Sequence, residues 1–375
     1  MIIGIPKEIK NNENRVALTP DKVEILIKLN HEVFIEKNAG INSGFTNEEY
    51  AHLGASIIDS AKTIYLKSNL IVKVKEPQLQ EYKYLNKNTM IFCYLHLASD
   101  NELTSQLISK NVTSIAYETI IDQNGKLNLL SPMSEIAGKM AAHNAAQLLT
   151  NQYGGSGKLL GGVVGTLKAK VLIIGCGTVG TNAALLSNNM GADVTVSDIN
   201  LDALNRIQEL SNNQIKTIYS SSSNINKVIN SMDIVIGAVL IPGHKAPKII
   251  TLDMIKSMQK NSVIIDVAID QGGCVEGIKP TTHENPTYLS NGIIHYAVTN
   301  IPGIIGNTAS ISLSNSTFPY IRDIANLGLN KLLINKSFIN SKGINTFNGF
   351  ITNKEVALSL NKKYTPINTI LKNNF

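Results

Sequence analysis

One segment constrains this chain more than any other. It is an apolar, β-branched run that ends in three spaced glycines, Val171-Leu172-Ile173-Ile174-Gly175-Cys176-Gly177-Thr178-Val179-Gly180. A G-x-G-x-x-G pattern alone is weak, but here it follows a strand-like run and precedes the helix-like stretch Thr181 to Asn189. That is the context in which each glycine has a physical reason. Gly175 makes the tight turn, Gly177 lets the backbone approach a pyrophosphate, and Gly180 permits close helix–strand contact. The helix N-terminus then offers its positive dipole to the phosphates. The next strand ends at Asp198, 18 residues beyond Gly180. A carboxylate there accepts hydrogen bonds from ribose hydroxyls and repels a 2′-phosphate, which favours NAD over NADP.

A dinucleotide domain of this kind accounts for only part of 375 residues. At about 100–200 residues per domain, two are expected. Strand-like runs recur at Ile2 to Ile5, Glu32 to Ile35, Leu70 to Val74, Met90 to Leu95 and Val112 to Ala116. Amphipathic stretches such as Asp21 to Leu29 separate them, with Thr19-Pro20 as its N-cap and first turn. A helix is expected over Ser134 to Leu149, followed by a flexible glycine-rich break at Gly154 to Gly162. Beyond it the rhythm restarts at Val171 to Ile174, Val194 to Ser197, Ile215 to Tyr219, Ile234 to Ile236, Val263 to Val267 and Ile293 to Val298. The polar, helical tail from about Asn307 is too short for a third domain and is expected to return to the first. The fold class read from this is α/β in two domains: a Rossmann-type doubly wound parallel sheet over 131–306, and a second α/β, flavodoxin-like substrate domain over 1–130 and 307–375. The active site is expected in the cleft between them.

Composition removes several classes. Hydrophobic residues make up 43% and charged residues 17%, a globular mix. The net charge of +6 is not gathered into a basic stripe, and aromatics are only 5%, so nucleic acid is not an expected partner. No apolar run reaches the ~18 residues that span a bilayer, and Met1 to Pro6 turns polar at Lys7-Glu8 rather than opening a signal peptide. Three scattered cysteines suit a reducing, cytoplasmic setting and neither a disulfide framework nor a zinc cluster.

In a doubly wound sheet, ligands bind beyond the carboxyl ends of the strands. Lys75, His96 and Asp270 each follow such a run, and Arg15 lies in the loop after the first one. A guanidinium there can grip a small carboxylate bidentately. Each residue also has a bland reading: a solvated lysine, a core histidine, an aspartate of an ordinary turn before glycine, a surface arginine.

Several segments together resemble the alanine dehydrogenase and nicotinamide nucleotide transhydrogenase superfamily. They are Gly4-Ile5-Pro6-Lys7-Glu8 through Arg15-Val16-Ala17-Leu18-Thr19-Pro20, Val74-Lys75-Glu76-Pro77, Leu95-His96-Leu97-Ala98, Ala116-Tyr117-Glu118-Thr119, Ser131-Pro132-Met133-Ser134-Glu135, Gly237-Ala238-Val239-Leu240-Ile241-Pro242-Gly243 and Asp266 through Cys274. The resemblance runs in register from residue 1 to about 335 and is closest to the alanine dehydrogenase branch. It implies reversible NAD-dependent oxidative deamination of L-alanine to pyruvate and ammonium. On the matching positions, Arg15 and Lys75 would bind substrate, His96 would be the general acid/base, and Asp270 would orient water or ammonia. Cofactor contacts are implied for Ser134, Thr178, Val179, Asp198, Ser220, Val239, Leu240, Val267, Ala268, Ile269, Asp270, Lys279, Val298, Thr299, Asn300 and Ile301. A cytoplasmic homohexamer is implied as well. The alternatives are a transhydrogenase-like nucleotide-binding subunit and a dehydrogenase for another small amino acid.

This chain departs from the family pattern at Asn307, Ala203 and Lys279, where basic or different residues are commoner, and at Val164, where proline is usual. Asp323 is acidic as in some members, but Leu327 replaces a metal-binding histidine. No metal is expected.

Overall fold

The computed structural model describes residues 1–122, 125–239, 246–334 and 342–372. Its strands are, in chain order, β1 (Ile2–Ile5), β2 (Glu32–Glu36), β3 (Ser56–Ile58), β4 (Leu70–Val72), β5 (Met90–Cys93), β6 (Thr113–Ala116), β7 (Lys170–Ile174) and β8 (Asp193–Asp198). They continue as β9 (Lys216–Tyr219), β10 (Ile234–Gly237), β11 (Val263–Asp266), β12 (Thr287–Ser290), β13 (Ile293–Tyr296), β14 (Ile344–Phe347) and β15 (Phe350–Ile351). The chain divides into one unit of Met1–Pro132 with Pro302–Phe375 and a second of Met133–Ile301.

In the first unit, strand order is β15-β14-β6-β5-β4-β1-β2-β3. Strands β1 to β6 are parallel, as in the register Ile3↔Val33 and Ile3↔Leu70. Strand β14 runs antiparallel to β6, and β15 antiparallel to β14. Short runs such as Leu70-Ile71-Val72 are buried throughout, as a sheet covered on both faces requires.

The second unit has the order β12-β13-β11-β10-β7-β8-β9, all parallel except β12, which pairs antiparallel with β13. Its core lies on both faces of this sheet, one side built on Val171, Ile173, Val194 and Ile236, the other on Leu172, Ile174, Val235 and Ile264.

Counting only the parallel strands, both units have the order 3-2-1-4-5-6, with switch points between β1 and β4 and between β7 and β10. In the first unit the strands β2-β1-β4-β5-β6 follow the flavodoxin order 2-1-3-4-5, with β3 added at the β2 edge, so the flavodoxin-like expectation holds with one further strand. Layering by alternating helices and strands leaves both orders open, and only pairing decides.

Local differences have identifiable causes. Pro20 opens the helix Pro20–Lys28, but the Thr19 hydroxyl does not cap it and turns instead to Asp21 and Ser314. The helix expected from Ser134 starts at Ser131 and runs to Leu148, with Ser131 and Pro132 in its first turn. The glycine-rich stretch after that helix is largely exposed but runs close against neighbouring backbone at two glycines. A Cβ on Gly155 would lie 2.3 Å from the Leu148 carbonyl oxygen, and one on Gly161 would lie 2.6 Å from that of Met190.

Candidate active site

At the carboxyl edge of the first sheet, the ends of the adjacent strands β1, β4 and β5 lead into Arg15, Lys75 and His96. The Arg15 loop is pinned by the polar face of the helix Gly306–Leu327. Ser310 accepts the Val16 N–H at 2.9 Å, and Ser314 accepts that of Thr19 at 3.1 Å. The Ser43 hydroxyl bonds the Asn14 carbonyl at 2.7 Å and lies 2.8 Å from the Ser310 hydroxyl.

Arg15 is buried, and its Nε and Nη2 fork onto the Glu13 carboxylate at 2.6 and 2.5 Å. Burial opposes the positive charge, but Glu13 outweighs it, so the guanidinium stays charged. Lys75 is half-buried and follows β4, next to the Lys10–Glu76 pair at 2.5 Å.

His96 is exposed and occupies the left-handed region, φ 51° and ψ 34°. For a residue with a Cβ this costs about 1–2 kcal/mol. Glu118 offsets the strain, accepting the His96 N–H at 2.7 Å and the Leu95 N–H at 3.2 Å. The imidazole stacks on Tyr94, centroids 6.2 Å apart, and the Tyr94 hydroxyl donates to the Leu129 carbonyl at 2.5 Å.

Behind these strand ends lies a buried charge cluster. Lys73 is 3.3 Å from Glu8 and 3.1 Å from Glu81, while Glu8 accepts the Val74 N–H at 2.6 Å. Burial, with Glu13 and Glu81 adding and Lys73 opposing, pushes the Glu8 carboxyl up to about 7. The folded protein therefore holds a proton that the unfolded chain releases above its ordinary 4.5. This contribution is full below that value and is lost as pH rises to about 7. Glu8→Gln is accordingly expected to gain on the order of 3 kcal/mol relative to wild type between pH 4.5 and 8. Urea unfolding at the two pH values measures this, and a constant gap would contradict it.

The second sheet tests the fingerprint glycines directly. Gly175 has φ +99°, and a Cβ there would lie 2.8 Å from the Ala238 carbonyl oxygen. On Gly180 a Cβ would lie 1.8 Å from the Gly175 carbonyl oxygen, so the helix Thr178–Asn189 packs on the turn only because that residue is glycine. Around Gly177 nothing lies within 4 Å of such a Cβ, and no side chain caps the helix. A cradle open at the helix N-terminus is what a pyrophosphate requires. Asp198 ends β8 half-buried, accepting the Cys176 N–H at 2.5 Å and the Asn200 N–H at 2.8 Å. The residues present therefore fit a dinucleotide.

Val239, Val267 to Asp270, Ser220 and Val298 to Ile301 all follow parallel strands of this sheet at the same edge. Ser134 lies one turn before Gly138, whose Cα approaches the Val179 carbonyl so closely that a Cβ would be 2.2 Å away. Lys279 is exposed and lies two residues before Thr281, which bridges Val298. Leu240, and the segment through Gly243, lie outside the described residues.

Residues 4–137 match the family model "Alanine dehydrogenase/PNT, N-terminal domain", and residues 141–354 match "Alanine dehydrogenase/PNT, C-terminal domain". The chain belongs to the alanine dehydrogenase/PNT family. It is 48% identical to an alanine dehydrogenase of Methanococcus maripaludis over 98% of each chain. An alanine dehydrogenase of Bacillus subtilis is 49% identical over 99% of this chain and 98% of its own. Among solved structures, an L-alanine dehydrogenase superposes with a TM-score of 0.92 at 43% identity, covering 96% of this chain and 99% of that one. A transhydrogenase from Sinorhizobium meliloti superposes at 0.80 and 25% identity, covering 94% and 99%.

Within this family the departure at Asn307 acquires a structural account. Its amide donates to the Ser43 carbonyl at 2.7 Å, tying the long helix to the turn beside the Arg15 loop. Asp323 pairs with Arg322 at 3.0 Å, and Leu327 is exposed. Among the described residues, no three His, Cys, Asp or Glu side chains are grouped to hold a metal.

The backbone clamps, Glu13 and Glu118 above all, escape reading from sequence as functional residues. Their nearness to Arg15 in one case, and their place in Ala116-Tyr117-Glu118-Thr119 in the other, are the only traces they leave.

Proposed function

We propose that the chain catalyses the reversible oxidative deamination of L-alanine: L-alanine, water and NAD⁺ giving pyruvate, ammonium, NADH and a proton. It is an oxidoreductase with a nicotinamide cofactor, as its family is. The observation that carries the alanine reading is 48–49% identity to alanine dehydrogenases over nearly the whole chain, against 25% to the transhydrogenase. NAD rather than NADP rests on Asp198, whose carboxylate at the end of β8 would repel a 2′-phosphate.

The bound nicotinamide supplies the hydride acceptor. Arg15, oriented by Glu13, binds the substrate carboxylate. Lys75 polarises the carbonyl or imine oxygen or nitrogen and stabilises charge on a carbinolamine. His96 takes the proton of the amine as hydride leaves Cα and returns one in the amination direction. Asp270, exposed on the turn after β11, orients the attacking water or ammonia. The glycine-rich turn at Gly175, Gly177 and Gly180 holds the pyrophosphate, and Asp198 holds the adenosine ribose.

A cytoplasmic, self-associating enzyme completes the proposal. Among the described residues, no helix is long and apolar enough to cross a membrane. The exposed apolar residues Leu159, Val163, Val164 and Leu167 support association of copies, and the hexamer follows the family resemblance.

The test is a spectrophotometric screen of L-amino acids with NAD and NADP. Turnover of L-alanine with NAD, at a kcat/KM at least tenfold above other small amino acids, is expected. No turnover of alanine would overturn the proposal. In Asp198→Ala, NAD affinity falls and the preference over NADP narrows by an order of magnitude, and unchanged affinities for both would remove Asp198 from the site.

A further inference from the structure

Asp270 lies on a turn that two charged residues hold from opposite sides, and neither has been given a role so far. Asp266, fully buried at the end of β11, accepts the Ala268 N–H at 3.0 Å through Oδ1 and the Val275 N–H at 3.0 Å through Oδ2. The glycine at 273, at φ +74°, makes room for it, since a Cβ there would lie 2.6 Å from Oδ2. Lys248 donates from Nζ to the carbonyls of Gly272, Gly273 and Val275 at 2.6, 2.8 and 3.1 Å. An ammonium has three N–H donors, and here all three serve one turn. A solvated surface lysine would keep its rotamer freedom, whereas this one gives it up. The backbone follows the same path: Ala246 N–H bonds Gln271 O at 3.0 Å, and Ile249 N–H bonds Cys274 O at 2.8 Å.

The geometry points to Lys248 and Asp266 as joint positioning residues for Asp270, the carboxylate gathering the N–H groups of its turn and the ammonium the carbonyls. Only one polarity of partner would leave half of the turn's backbone groups without an anchor. Asp270 itself is exposed between the two anchored ends, Ala268 and Gly272 to Val275. The inference rests on the proposed role of Asp270, and the test separates the two.

The variants are Lys248→Met, Asp266→Asn, Asp270→Asn and the double variants with Asp270→Asn, assayed as full-length enzyme with NAD and L-alanine. Lys248 is exposed, so its variant folds even where Asp266→Asn does not. Lys248→Met is expected to lower kcat about tenfold and Asp266→Asn about 10²-fold, the order of loss that misplacing a reacting group produces. The KM for alanine changes less than threefold. In the Asp270→Asn background, Lys248→Met costs less than twofold more, because residues acting through one group are not additive. Independently of activity, amide exchange across residues 268–275 of the ligand-free protein quickens about tenfold in Lys248→Met.

Wild-type kcat and exchange in Lys248→Met would overturn the inference, as would the full tenfold loss persisting in the Asp270→Asn background. A wild-type enzyme inactive toward alanine would overturn the function instead, while amide exchange still reads the clamp.

Discussion

His96→Ala is expected to lower kcat for alanine oxidation by about 10²–10⁴, the range typical of losing a general acid/base, the role proposed for it. Because His96 is exposed and its backbone is held by Glu118, the variant keeps the left-handed turn and unfolds near the wild-type temperature. Lys75→Ala produces a comparable loss, and Lys75→Arg does not restore it, since a planar guanidinium does not replace a compact ammonium that must approach one atom. Steady-state NADH formation, with circular dichroism on each variant, measures this. Near-normal kcat in both would end the chemical assignment of this strand edge.

Gly180→Ala has the largest expected effect outside the chemistry. Its Cβ would overlap the Gly175 carbonyl, 1.8 Å away, and that atom is backbone held in the β7 turn rather than the free end of a side chain. Helix and turn must separate. A stability loss of about 3 kcal/mol is expected, at the upper end of overpacking costs, with cofactor affinity falling at least 10²-fold. Gly177→Ala provides the contrast, because its Cβ meets nothing within 4 Å. It leaves thermal unfolding within a degree or two of wild type and still weakens NADH binding, since the methyl group occupies the approach of the pyrophosphate. Fluorescence titration of NADH together with calorimetry separates the two. Equal stability of Gly180→Ala and wild type would contradict the packing argument.

The same contrast shows what a linear chain discloses. Central strands such as β1, β7 and β11 are continuous apolar runs, and their positions are legible from the residues alone. Strand β3 is Ser56-Ile57-Ile58 with no fully buried residue, and β12 begins after proline with half-exposed side chains, so neither carries that signal. Strands β14 and β15 become strands by pairing beyond β6, a contact spanning more than 200 residues of sequence. The addition of β3 at the edge of the flavodoxin-like order is likewise a property of pairing.

At the sites, the side chains proposed to meet ligands stand at strand ends and in glycine turns, and can be picked out. Residues that hold backbone cannot. Glu118, Asp266 and Lys248 act on N–H or C=O groups, which every residue has, and their partners are chosen only when the chain has folded.

The division of the chain also has a temporal consequence. The second unit is one uninterrupted stretch, Met133–Ile301, whereas the first is completed only by Pro302–Phe375. Strand β14, which covers β6, and Ser310 and Ser314, which fasten the Arg15 loop, belong to that last portion. During ribosomal synthesis the nucleotide-type sheet thus has all its strands before the amino-terminal sheet can close. Until that later portion has emerged, the nascent chain carries an open β6 edge, a pairing surface exposed to other chains, and an untethered Arg15 loop.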